Sequence, residues 1–185
     1  MTRPLPAEND WPRCGRVTLK PFTSGLTSRE WRNFWESFRD PEIAEWNGNR
    51  PLRMPLWIFK RVVMREIKRG DRLGFVILDE RGNWLGTLEL YDLQDDEATL
   101  GIILGRKDRW GRGYGREAVA AAVDYAFERL GLEKVKLRTF SHNQRARRAF
   151  SAAGFKEVGV EELPGGKQDV LMEITREEWR EAGRS

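Results

Sequence analysis

LGRKDRWGRGYGREA, residues 104–118, joins an apolar, strand-like run to a long helical run. A glycine-rich loop that opens a helix binds anions, because successive backbone N–H groups converge there and the helix dipole adds positive potential. Glycine permits positive φ and lets a phosphate approach with no Cβ in the way. The loop also carries cationic side chains, namely Arg106, Lys107, Arg109, Arg112 and Arg116. The stretch therefore predicts a site for a pyrophosphate or a phosphorylated cofactor.

The glycine spacing argues against two common phosphate loops. A Walker loop needs Gly-x4-Gly-Lys-Ser/Thr, and no Lys-Ser/Thr pair follows here. A Rossmann fingerprint needs a third glycine three residues after the second. Gly111, Gly113 and Gly115 are instead two apart, and Ala118 stands where the last glycine of that fingerprint would fall. A glycine turn without a ligand and a coenzyme A loop remain as interpretations.

The composition indicates one globular domain. The chain has 185 residues, of which 39% are hydrophobic and 34% charged, enough to bury a core. No apolar run approaches the roughly 18 residues of a membrane span, and the first residues lack an apolar signal core, so we expect a cytoplasmic protein without a membrane partner. One cysteine, Cys14, and one histidine, His142, form neither a disulfide nor a zinc cluster, so no metal is predicted.

Apolar periodicity and chain breakers predict the order β-α-α-β-β-β-α-β-α-β-β, an α/β fold with a mixed sheet. The predicted strands are 16–22, 73–78, 84–91, 98–104, 134–140, 155–160 and 169–174, and the helices are 28–39, 55–69, 114–130 and 143–154. A capping-box pattern at 175–178 predicts a short last helix. Residues 1–15 are expected to be a loosely held arm, and 16–185 a single domain.

The ordered motifs resemble the GNAT N-acetyltransferase superfamily. Its core pattern, Gln/Arg-x-x-Gly-x-Gly/Ala, aligns with Trp110-Gly111-Arg112-Gly113-Tyr114-Gly115. Further segments resemble its ribosomal-protein and spermidine acetyltransferase branch, namely 17–22, 40–42, 125–135, 143–155 and 166–173. The resemblance covers about residues 16–175 and implies a GNAT domain with two splayed parallel strands and acetyl-CoA as co-substrate.

The resemblance also implies which residues bind coenzyme A. In the family, the pantetheine arm lies between the splayed strands, and the strand before the glycine loop offers its main chain to it. Carried over, the cofactor-binding residues are Ile102, Ile103, Leu104, Trp110, Gly111, Arg112, Gly113, Tyr114, Gly115, Arg116, Asn143 and Phe150. Asn143 also fits an ordinary helix N-cap, and the two roles are compatible.

The chain departs from the family's pattern where catalysis is concerned. Trp110 takes the Gln/Arg position, Phe150 stands where many members have a tyrosine acid, and Ala146 stands where other branch members have serine. No general acid is therefore evident. As the base we expect Glu89, with Glu97 second; a solvent-facing strand glutamate is the alternative for Glu89. For His142 a structural or exposed role is favoured.

We therefore expect an acetyl-CoA-dependent N-acetyltransferase that acts on a primary amine by direct attack on the thioester. The acceptor is a protein N-terminus, a polyamine or another small amine, and Trp46 is the best aromatic candidate for its site. The alternative is a non-catalytic, CoA-binding regulatory module. The net charge of +4 is offset by 29 acidic residues spread along the chain, so nucleic-acid binding is not favoured. The resemblance makes a homodimer plausible.

Overall fold

A computed structural model describes residues 10–94 and 96–183, and within them eight strands form one mixed sheet in the order β1-β2-β3-β4-β5-β6-β8-β7. The strands are β1 Arg13–Cys14, β2 Val17–Pro21, β3 Leu73–Leu78, β4 Trp84–Gln94, β5 Glu97–Leu104, β6 Lys134–Phe140, β7 Lys156–Leu163 and β8 Lys167–Thr175. The helices are α1 Ser28–Arg39, α2 Pro41–Trp46, α3 Leu56–Lys68, α4 Tyr114–Glu128, α5 Gln144–Ala152 and α6 Arg176–Ala182. Along this part of the chain, no helix has the length and apolarity needed to cross a membrane.

The parallel pair β5–β6 opens soon after it begins. Their register runs only from Glu97–Lys134 to Thr99–Lys136, whereas the other paired strands are antiparallel. Beyond Thr99, β5 continues to Leu104 and remains paired with β4. The predicted mixed sheet with two splayed parallel strands is therefore confirmed.

Helices cover the sheet on both faces. On one face, the small residues of α4, Ala118, Ala122 and Ala126, are fully buried against the strands. Small side chains let this helix approach the sheet closely. On the other face, α1 and α3 contribute an aromatic cluster that includes Phe34 and Phe59, with ring centroids 5.0 Å apart. The site described below lies on this second face and at the splay.

The predicted order lacks three elements that the structure contains. Strand β1 pairs Arg13 with Thr18 and Cys14 with Val17, so the sheet begins at residue 13, inside the stretch predicted as an arm. Residues 1–9 of that arm lie outside the described residues. Helix α2 forms between the predicted helices 28–39 and 55–69, where no element was assigned. Helix α6, absent from the predicted order, is the short last helix that the capping box indicated, and Thr175 and Glu178 form that box.

Helix α2 begins at Asp40 because two signals coincide there. The Asp40 carboxylate accepts hydrogen bonds from the amides of Glu42 and Ile43, and Pro41 at the first helical position needs no donor. Lys107 also contacts Asp40 at 2.8 Å. Burial opposes ionisation of Asp40, but these hydrogen bonds outweigh it and hold the pKa below its usual value.

We expect Asp40→Ala to lower the free energy of unfolding by about 1 kcal/mol at neutral pH, as loss of an N-cap does. Because the pKa of Asp40 is lowered by folding, its stabilisation is complete above the unfolded pKa and is lost as the pH falls through the folded one. Denaturant unfolding at neutral and acidic pH measures this, with Asp71→Ala at an exposed turn as the control. Equal losses in the two variants would contradict the capping role.

Candidate active site

A single cavity of about 1160 Å³ runs from the glycine loop across β4, β5 and β6 to helices α1 and α3. The structure brings nearly all of the sequence-predicted site residues to it. These are Glu89, Ile102, Ile103, Leu104, Trp110, Gly111, Arg112, Gly113, Gly115, Arg116, Asn143 and Phe150. Segments far apart in the chain therefore meet in one place.

The splay between β5 and β6 forms the middle of this cavity. Because the register with β6 ends at Thr99, the β6-facing edge of Leu100–Leu104 lies along open space instead of along a strand. A strand edge of this kind presents N–H and C=O groups to a ligand. One group is already used, since the Trp110 indole N–H donates to the Leu104 carbonyl at 2.9 Å. Trp110 thus fixes the loop to the strand that precedes it.

The glycine loop ends in the first turn of α4. Gly111 and Gly113 have φ of 73° and 89°, and Gly113 is the N-cap residue of the helix. No side chain caps this end, so the first amides of α4 are available to an anion. Arg112 and Arg116, both exposed, line the cavity beside these amides. The loop therefore fits a phosphate group in both charge and shape.

The N-terminus of α5 closes the opposite side of the splay. The Asn143 side chain caps α5 by accepting from the Ala146 amide at 3.2 Å, as predicted. Phe150 is buried and apolar at the cavity wall. The Arg145 guanidinium lies 4.0 Å from the Trp110 ring centroid and 5.5 Å from that of Trp46. These stacked groups join α2, α5 and the glycine loop across one rim of the cavity.

Glu89 is the carboxylate on β4 that faces the cavity next to the splay. It pairs with Gly101 of β5, and the Tyr91 ring lies over this glycine, 3.3 Å from where a Cβ would stand. Arg72 donates a hydrogen bond to Glu89 at 3.0 Å. Burial raises the pKa of Glu89, although the Arg72 guanidinium opposes that effect. A half-buried carboxylate with a raised pKa is suited to accept a proton near neutral pH.

A comparison with protein families agrees with this geometry. The family described as acetyltransferase (GNAT) domain matches residues 16–156. The chain belongs to the GNAT family. This match includes β5, the glycine loop, α4 and α5, the elements that surround the splay.

GNAT relatives and solved GNAT structures are similar to this chain to different extents. It is 33% identical over 102 residues to a spermidine N(1)-acetyltransferase of Vibrio cholerae, covering 52% of this chain and 58% of the relative. An uncharacterized N-acetyltransferase, p20, of Bacillus licheniformis is 28% identical over 103 residues, covering 52% of this chain and 57% of the relative. The chain thus spans little more than half the length of these relatives. The crystal structure of spermidine N-acetyltransferase from Vibrio cholerae with CoA and spermine superposes with a TM-score of 0.78 at 23% identity, covering 89% and 98% of the two chains.

Tyr114 is the predicted GNAT cofactor residue whose side chain lies away from the cavity. It is 3% exposed, its ring lies under Arg16 at 4.1 Å, and its hydroxyl contacts Glu80 at 3.4 Å. As the first residue of α4, Tyr114 turns its side chain into the core while its amide stays at the helix start. Only its main chain is therefore placed to meet a ligand.

Glu97, the second candidate base, lies outside the cavity. It sits at the start of β5, where the two parallel strands are still paired, and it binds Lys134 and Lys136. Its hydrogen bond from Lys136 lowers the pKa, which weakens it as a base. Sequence analysis missed Tyr91, which lines the cavity and stands two residues after Glu89 on the same face of β4. The period of two in a strand is the signal that would have identified it.

Arg16 braces the glycine loop from behind. Its guanidinium donates to the Arg112 carbonyl at 2.8 Å and to Glu117 at 2.6 Å, and its amide donates to Glu117 at 2.7 Å. Glu117 lies in the first turn of α4, so the turn between β1 and β2 holds both the loop and the helix start. Nothing in the local sequence reveals this contact, because the two residues are 101 positions apart.

We expect Arg16→Ala to raise the Kd for acetyl-CoA about three- to tenfold, since losing one charge-assisted brace is worth roughly 1 kcal/mol. The loop amides stay in place but are less well preorganised. Isothermal titration of acetyl-CoA measures the change. Arg13→Ala, which removes an exposed cation from the adjacent strand, is the control for net charge. Equal affinities for the two variants would show that the brace does not support binding.

Proposed function

We propose that this protein is an acetyl-CoA-dependent N-acetyltransferase that moves the acetyl group to a primary amine by direct attack. The observation that carries the proposal is one continuous cavity that joins an anion-binding helix start, an open strand edge and a carboxylate with a raised pKa. Each of these supplies one requirement of acetyl transfer. The match to the GNAT family supports the same reaction.

The cavity offers acetyl-CoA a place for each of its parts. The pyrophosphate would rest on the amides between Gly111 and Arg116, with the cations of Arg112 and Arg116 beside it. The pantetheine arm would lie along the free edge of Ile102 and Ile103. The spermidine N-acetyltransferase structure from Vibrio cholerae was solved with CoA, which supports this placement on a similar fold.

The reaction needs little covalent help from the protein. The amine nitrogen attacks the thioester carbonyl carbon and forms the C–N bond, and the C–S bond breaks as CoA leaves with the electron pair. A main-chain N–H of β5 polarises the carbonyl oxygen while it gains charge. The proton lost by the amine passes through water to Glu89. The CoA thiolate takes its proton from solvent, because the position of the family's tyrosine acid holds Phe150.

Release of free thiol from acetyl-CoA, measured with a panel of primary amines, tests this function. We expect release that depends on the amine and is matched by formation of the N-acetylated product. Binding of acetyl-CoA in a parallel titration, without release on any amine, would favour the regulatory module instead. The homodimer and the cytoplasmic location remain predictions from the sequence.

A further inference from the structure

We infer that the acceptor is a monoamine carried on an apolar skeleton, such as an arylalkyl or branched alkyl amine, in preference to a polyamine. This inference rests on the proposed function and concerns the end of the same cavity that lies beyond Glu89. Two observations carry it. One is the pairing of the carboxylates that line the cavity, and the other is the apolar wall that stands next to the base.

Each acid among the described cavity-lining residues is paired with an arginine. Glu66 and Glu89 share Arg72, at 3.6 and 3.0 Å, and Glu66 also binds Arg69. Asp169, 7% exposed on β8, faces Arg138 at 3.9 Å. A polyamine carries further ammonium groups, and each of these needs a carboxylate that is free to pair with it. With Glu89 engaged as the base, the cavity leaves no unpaired acid for a second ammonium.

The wall beside Glu89 is instead apolar and aromatic. Phe38 and Phe59 line it with ring centroids 5.6 Å apart, and Met54, Val63 and Ile67 continue it. The loop that carries Met54 is held in place because the Trp35 indole donates to the Met54 carbonyl at 2.9 Å. Such a surface binds hydrocarbon by removing it from water. It offers a second ammonium group no compensation for lost hydration.

Arg72 fixes the position of this wall relative to the base. It bridges Glu66 near the C-terminal end of α3 to Glu89 on β4. Val62 and Val63 stand one turn before Glu66 on the same helix, so their cavity-facing side chains lie next to the carboxylate pair. An amine placed at Glu89 would therefore direct its carbon skeleton along α3.

The test compares kcat/KM for 2-phenylethylamine, isoamylamine and spermidine, with acetyl-CoA saturating and thiol release as readout. We expect the apolar amines to exceed spermidine by at least about tenfold, in line with the 10- to 200-fold that a hydrophobic pocket gains per carbon group. Turnover on spermidine equal to or above the apolar amines would overturn the inference and leave the proposed function intact. No turnover on any of these three amines, with acetyl-CoA bound, would also overturn the inference, and release on the wider panel of primary amines would then decide the proposed function.

A pair of variants on α3 tests whether the carbon skeleton of the acceptor binds along this helix. Val62 lines the cavity and is 44% exposed, so Val62→Asp introduces a carboxylate at the cavity mouth without disturbing the core. Met64, 36% exposed on the same helix, lies outside the cavity lining, so Met64→Asp is the matched control. We expect Val62→Asp to lower kcat/KM for 2-phenylethylamine about tenfold and to raise the relative rate on spermidine. Indistinguishable variants would place the acceptor away from α3 and overturn the inference.

Discussion

We expect Glu89→Gln to lower kcat/KM for the acceptor amine by about 10²- to 10⁴-fold, the usual contribution of a positioned general base, and to leave the affinity for acetyl-CoA unchanged. Glutamine keeps the shape of the side chain but has no carboxylate to receive the proton. In the proposed arrangement coenzyme A contacts the glycine loop and the edge of β5, so we expect its binding not to depend on this charge. Steady-state kinetics and titration of acetyl-CoA measure the two effects separately.

The pH profile of Glu89→Gln distinguishes a base from a structural carboxylate. As the proposed base, Glu89 would act only when deprotonated, so we expect kcat/KM of the parent protein to fall as the pH drops through the raised pKa of this group. That acidic limb therefore lies above the ordinary range of a glutamate, and it is absent from the variant. Glu97→Gln, on the neighbouring strand and outside the cavity, is the control and keeps the limb. A profile with the same limb in both variants would assign the base elsewhere.

We expect Gly113→Val to raise the Kd for acetyl-CoA at least about a hundredfold, because the loss of two charge-assisted hydrogen bonds to phosphate would cost roughly 3 kcal/mol. Gly113 has φ of 89°, a conformation that a β-branched residue does not adopt without strain. Its Cβ would also lie 3.3 Å from the Arg16 guanidinium that braces the loop. We expect the strained backbone to shift the loop, so that its amides no longer converge on one anion.

Gly82→Val is the matched control for Gly113→Val. Gly82 has φ of 73° in the turn between β3 and β4, and a Cβ there meets nothing within 4 Å. Both variants therefore carry similar backbone strain, but only one carries it in the anion site. Calorimetric titration with acetyl-CoA, alongside a thermal melt of each variant, separates lost binding from lost stability. Retained affinity in Gly113→Val would show that the loop does not hold the phosphates.

Much of the fold follows from local patterns in the chain. The apolar run 98–104, the glycines and the alanine-rich helix predict β5, the loop and α4 within a few residues, since each depends on its own segment. Helix α2 was also readable, because Asp40 followed by Pro41 is a helix start. Sequence analysis used residues 40–42 for the family resemblance and assigned no helix between residues 39 and 55. This helix start was therefore missed.

The parts of the site that sequence analysis did not predict depend on contacts between distant segments. The pairing of Arg16 with Glu117, and the bridge from Glu66 through Arg72 to Glu89, join residues of different elements, and no periodicity encodes them. The inward rotation of Tyr114 depends on how α4 packs on the sheet. The position of Glu97 follows from where β5 and β6 part, and this point is set by three-dimensional register. The chemical role of a residue could therefore be predicted from its type, but the residues that surround it in the site could not.

The short pairing between β5 and β6 also affects the stability of the protein against unfolding and proteolysis. Within the part of the chain that the structure describes, three residue pairs between β5 and β6 join the two halves of the sheet. Beyond them, the edge of β5 that faces β6 has backbone N–H and C=O groups that no described strand pairs with. A ligand lying in that gap acts as the missing strand, so its binding energy adds to the free energy of unfolding. The concentration of such a ligand then determines the fraction of molecules that unfold, and therefore how fast the protein is proteolysed.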